Sequence, residues 1–115
     1  MSMKWDPIDH ITRSEIENLI ANPEIDIASL QRLMFVIAEC GDVDWSIDIL
    51  LQFLKHDSKQ VAGCSAAALG DLARLYGLNN RKDFVCERLR DALKNNHDIA
   101  PRIETALSDI NIFLK

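Results

Sequence analysis

Apolar residues recur along this chain at three- and four-residue spacing and never in sustained alternation, so the pattern predicts helices joined by short polar turns. The first opens near Thr12, which has capping-box spacing to Glu15, with Ser14 and Glu17 as a competing start. Ile16, Leu19 and Ile20 form its stripe, and Asn22-Pro23 ends it because the residue before proline avoids the helical region. The second runs from Asp26 or Ile27 to Cys40 on Ile27, Leu30, Leu33, Met34 and Ile37, with Gly41 placed as a C-terminal cap. The third starts after Asp42 or Asp44 and ends near His56; Ile47, Leu50, Leu51 and Leu54 are its buried row, widened by Ile49 and Phe53.

Asp57 or Ser58 caps the fourth helix, which continues to Tyr76 and stops at Gly77. Val61, Ser65, Ala68, Leu69, Leu72 and Leu75 share one of its faces, flanked by Ala62, Ala66 and Ala73, whose small size lets a neighbour approach closely. Gly70 within it is worse than alanine by roughly 1 kcal/mol, which implies a packing reason for its presence. After the Asn79-Asn80 turn, the fifth helix covers about Lys82 to Lys94 and carries Phe84, Val85, Cys86, Leu89, Ala92 and Leu93. Asn95-Asn96-His97 breaks it and Asp98 caps the sixth. Pro101 falls harmlessly in the sixth helix's first turn, and Ile99, Ile103, Ala106, Leu107, Ile110 and Leu114 form the stripe.

The helices repeat. Shifting the chain by 38 or 39 residues places Leu50 on Leu89, Leu54 on Leu93, Val61-Ala62 on Ile99-Ala100, and Ala68 to Leu72 on Ala106 to Ile110. A shift of 36 maps Ile25, Leu33 and Val36 onto Val61, Leu69 and Leu72, which makes the first two helices a degenerate leading unit. Three helix pairs at a period near 40 resemble HEAT or armadillo repeats. The likeness is closest from Ile47 to Leu75, through the His-Asp-Ser turn and the Ala-Ala-Leu-Gly core. The proline usual in a HEAT unit's first helix and the arginine common in its second are absent. The resemblance implies an all-α fold of about six helices in three antiparallel pairs (about 12–40, 44–76 and 80–114). It also implies a right-handed α–α superhelix forming one domain over 1–115.

The composition fits this reading. At 115 residues, 48% hydrophobic and 27% charged, the chain is long enough to bury a core without metal or disulfide staples. No apolar run reaches the ~20 residues of a membrane span, and Met1 to Pro7 lacks the apolar centre of a signal peptide, so a cytoplasmic location is expected. Cys40, Cys64 and Cys86 are odd in number and widely spaced, as small core residues of a reducing compartment are. The net charge of −5 is uneven: residues 1–57 hold eleven carboxylates and four cations, residues 58–115 seven carboxylates and nine cations. An acidic half repels nucleic acid and anionic lipid and attracts basic protein surfaces.

Nothing in the sequence assembles catalytic chemistry. His10, His56 and His97 are far apart with no ligand at helical metal-binding spacing, and His56 and His97 occupy matching turns of successive units. There is no phosphate loop and no nucleophile elbow. The cations Arg81, Lys82, Arg88, Arg90 and Lys94 are interleaved with Asp83, Glu87 and Asp91, a poor nucleic-acid groove. No cofactor, metal, nucleic acid or membrane is therefore expected, and the chain reads as a non-enzyme.

In a helical solenoid the second helices line one surface. The residues expected to be displayed are Arg32, Phe35 and Glu39 on the second helix and Lys59, Gly63, Ala67, Gly70, Asp71 and Arg74 on the fourth. On the sixth they are Arg102, Thr105 and Asp109. Of these, Arg32, Phe35, Glu39, Asp71, Arg74 and Asp109 are the candidate partner-binding residues, with Glu39, Asp71 and Asp109 as an acidic ladder. Trp5 and Trp45 sit beside acidic residues as interface anchors do, although burial is the commoner fate of a tryptophan. By size and charge the chain is similar to small bacterial immunity proteins, which neutralise a toxin by covering its active site. That likeness implies a partner with a basic surface, for example a nuclease toxin. The alternative is a HEAT-like adaptor in a larger assembly.

Overall fold

The first, second and fourth helices begin where a short polar side chain accepts from one of the first free N–H groups. The computed structural model describes residues 11–114. These form six α-helices and no strand: α1 (Arg13–Ala21), α2 (Ile27–Glu39), α3 (Val43–Phe53), α4 (Lys59–Leu75), α5 (Lys82–Asn95) and α6 (Ala100–Phe113). The fold is all-α, as the periodicity predicts. Thr12 rather than Ser14 caps α1: its Oγ1 accepts from Glu15 N–H at 3.1 Å, while Glu15 Oε1 accepts from Thr12 N–H at 2.8 Å. Asp26 accepts from Ser29 N–H at 2.7 Å to start α2, and Ser58 accepts from Val61 N–H to start α4. Gly41 and Gly77 take the left-handed backbone that ends α2 and α4, at φ of 88° and 83°.

Three local expectations are corrected. Asp98 does not cap α6, because a single 3-10 turn, His97–Ile99, precedes that helix and takes up Asp98. Asp42 occupies the cap position of α3 without a side-chain capping bond, since its carboxylate turns to Arg13 at 2.6 Å. The α3 helix stops at Phe53, where the chain tightens into the turn that holds His56.

The helices form two layers, and the thinnest of the molecule's dimensions, 43 × 27 × 19 Å, accommodates two helix diameters of about 10 Å. In the first layer α4 packs between α2 and α6. Gln31 Nε2 approaches Cys64 Sγ at 3.6 Å and Tyr76 Oη donates to Glu39 O at 3.0 Å, so α2 and α4 run in the same direction. Gly63 lies against Ile99 and Arg102, Gly70 against Ala106 and Asp109, and Gly77 against Leu114, which makes α6 run with them. The second layer holds α1 on α2, α3 on α2 and α4, and α5 on α6. Two buried serines bind the layers: Ser46 Oγ donates to Ile37 O at 2.8 Å, and Ser65 Oγ donates to Leu50 O.

Because α4 is covered by α2, α3 and α6, it is buried almost all round. Gly63 and Gly70, expected on a displayed face, instead form the seam with α6. Leu75, expected in the buried row, is 50% exposed. Leu19 and Ile27 are likewise partly exposed at the α1–α2 end of the layer, where no further helix covers them among the described residues.

Candidate functional site

The candidate partner-binding residues divide between two places. Arg32 is exposed on the flank of α2 away from α4, where it lines an apolar groove of about 560 Å³ with Leu19, Ile25, Ser29, Leu33 and Val36. Phe35, on the same helix, is half-buried against the core. The remaining four stand toward the C-terminal ends of the first layer. Glu39 is the last residue of α2, and its carboxylate is exposed and has no cation partner among the described residues. Asp71 is paired with Arg74 one turn on, at 2.9 Å, so this rung of the proposed ladder is neutralised by its own helix. Asp109 on α6 sets its carboxylate beside Gly70, where a Cβ would stand 3.3 Å from its Oδ2.

Sequence reasoning missed the apolar residues of this edge. Leu75 and Tyr76 at the end of α4, and Ile112 and Phe113 at the end of α6, are each at least 50% exposed. The contact between Gly77 and Leu114 brings the two helix ends together. Leu75 was missed because it falls on the apolar stripe of its helix, whereas Tyr76, Ile112 and Phe113 lie off the stripes and were given no role. The hydrogen bond from Tyr76 to the Glu39 carbonyl adds the end of α2 to the same edge.

The other singled-out residues have internal roles. Trp45 is buried, donates its indole N–H to Glu17 at 2.9 Å, and lies 5.2 Å beneath the Arg13 guanidinium. It therefore ties α1 to α3 and is no exposed anchor. Trp5 and His10 lie outside the described residues. His56 Nδ1 accepts from Ser58 N–H at 3.0 Å and its ring stacks on Phe53, a turn role. His97 belongs to the 3-10 turn before α6. Among the candidate cations, Arg81 is spent on Asp48 at 2.8 Å and on Asp44, and Arg88 on Asp91 and Glu87. These pairs fasten α5 to α3 and to itself.

A second, polar groove of about 520 Å³ separates the α3–α4 turn from the end of α5, with Lys55, His56, Lys59, Arg88 and Asp91 on its walls. Its two acidic groups, Asp57 and Asp91, offset most of the positive charge of Lys55, Lys59 and Arg88. No cluster of three metal-ligating side chains occurs among the described residues. No protein-family model, curated protein or solved structure matches this chain.

Proposed function

We propose that this chain is a HEAT-like protein-binding module, three helix pairs in a right-handed stack, that neutralises a bacterial toxin by docking over its active site. The observation that carries the reading is Glu39. It sets an exposed carboxylate, without a cation partner among the described residues, at the C-terminal end of α2, where the helix dipole favours a cation and no basic residue occupies the last turn. Breaks in local rules are expected at functional or strained sites, and this one lies on the surface. With a net charge of −5, the complement is a basic protein surface, and a nuclease toxin presents one.

The experiment is co-expression of this chain with the toxin encoded beside its gene. The expected outcome is relief of toxicity and a 1:1 complex that weakens as salt rises. Absence of relief, or stable binding to nucleic acid at about 0.15 M salt, overturns the reading.

One observation favours an adaptor as the second reading. The α1–α2 groove and the edge formed by Leu75, Tyr76, Ile112 and Phe113 lie on separate parts of the molecule, and two surfaces can hold two proteins. A ternary complex with one partner lost by Leu19→Asp and the other by Leu75→Asp would establish it.

A further inference from the structure

We infer that the C-terminal edge of the α2–α4–α6 layer is the docking surface, and that its occupant is a basic amphipathic helical segment of another protein. The inference rests on the reading of a basic partner and adds where and how that partner is held.

Three features converge there. Leu75, Tyr76, Ile112 and Phe113, each exposing half or more of its surface, stand at two adjacent helix ends. Scattered exposed apolar residues are ordinary, but four of the seven large ones among the described residues share this edge. Because α2, α4 and α6 run in one direction, their C-terminal ends, each carrying a partial negative charge, also meet here. Neither α2 nor α6 has a basic residue in its last turn, and Arg74 of α4 is engaged by Asp71.

Glu39 and Asp109 then add full charges on either side of α4, with no cation partner among the described residues. Apolar in the middle and negative around it, the edge complements a helix with leucine-like residues on one face and lysine or arginine beside them. A second copy of this chain would bring the same negative rim against itself, which disfavours self-association through this edge.

The test uses three helical peptides: leucine with lysine, leucine with glutamate, and serine with lysine. Binding is followed by fluorescence and by amide shifts of the labelled full chain. The expected result is saturable, salt-sensitive binding of the leucine–lysine peptide alone. Its shifts should be confined to Glu39–Cys40, Leu75–Gly77 and Ile112–Leu114. Leu75→Ser with Phe113→Ser, and separately Glu39→Lys, should each weaken it about tenfold or more.

The shift map needs no variant, so a poorly folded substitution does not obscure the outcome. Shifts confined to the α1–α2 groove would overturn the edge as the docking surface while leaving the basic-partner reading standing. Equal binding of the glutamate peptide, or no binding by any of the three, would overturn both. Concentration-dependent dimerisation abolished by Leu75→Ser would overturn the heterologous occupant and make the edge a self-interface.

Discussion

Gly70 of α4 faces the backbone of Ala106 on α6 so closely that a Cβ placed on it would stand 3.3 Å from the Ala106 Cα. Seven residues earlier, on the same seam, a Cβ on Gly63 would meet only the side chains of Arg102 and Ile99, at 3.6 Å. Alanine improves helix propensity by roughly 1 kcal/mol at either position. At Gly63 nothing opposes that gain, so Gly63→Ala is expected to stabilise by about 0.5–1 kcal/mol. At Gly70 the neighbouring helix must move, and such overpacking costs about 1–3 kcal/mol. Gly70→Ala should therefore be the less stable of the two by about 1–3 kcal/mol, measured from urea midpoints at unchanged m. Equal effects would mean that α6 yields freely along this seam.

Trp45 is expected to act with Glu17 as one unit holding α1 in place. The indole N–H to Glu17 bond is partly buried, whereas the Arg13 pairs with Glu17 and Asp42 are solvent-exposed. Exposed pairs contribute about 0–1 kcal/mol and are screened by salt, so Arg13→Ala should be mild. Trp45→Phe and Glu17→Ala should each cost about 1–2 kcal/mol, with a coupling of about 1 kcal/mol in the double-mutant cycle. Additive losses would show that the tryptophan acts through packing alone.

Much of this architecture is legible in the sequence, because helix starts and stops are local events. Thr12 with Glu15, Asp26, Ser58, Gly41 and Gly77 all act within one turn of where they stand. What a single-helix pattern lacks is the number of neighbours a helix has. With α2, α3 and α6 all around α4, Gly63 and Gly70 are drawn inward. Leu75 is half exposed although Tyr76 and Gly77 beside it still meet the ends of α2 and α6. The candidate site is legible to the same extent. Glu39 and Asp109 can be found as acidic residues on the displayed side of their helices. Leu75 cannot, since it falls on the apolar stripe of α4, whereas the off-stripe positions of Tyr76, Ile112 and Phe113 did offer a signal.

Acidification should loosen the starts of α1 and α2 first. The N–H of Thr12 holds the Glu15 carboxyl below its ordinary range, and the N–H of Ser29 does the same for Asp26. A carboxylate depressed in the folded state stabilises it fully above the unfolded value, and this contribution is lost as pH falls through the depressed folded value. The expected observation is that amide signals of the first turns of α1 and α2 shift on the acid side of the normal carboxylate range. Thr12→Ala keeps the backbone N–H and removes only the smaller hydroxyl contribution, so the Glu15 carboxyl should move only part of the way toward its ordinary value. A complete return in that variant would remove the backbone N–H as the main cause.

The three cysteines should differ in reactivity by their depth. Cys40 is exposed, with its Sγ 3.5 Å from Ser46 Oγ, while Cys64 and Cys86 are buried in the helix seams. Burial pushes the Cys86 thiol up, against a smaller opposite pull from Arg90 and Lys82, so little thiolate forms there near neutral pH. One equivalent of thiol should therefore react rapidly with a disulfide reagent in the native protein, and Cys40→Ser should abolish that phase. The other two should react only as the protein opens, and Gly63→Ala should slow them. Since the folded value for Cys86 is raised, its contribution to stability is complete below the ordinary thiol value. It is lost as the pH rises through the folded one. Alkaline solutions should then unfold the wild-type chain at lower urea than Cys86→Ala, relative to their difference at neutral pH. A difference that stays constant with pH would show that Cys86 titrates alike in the folded and unfolded chains.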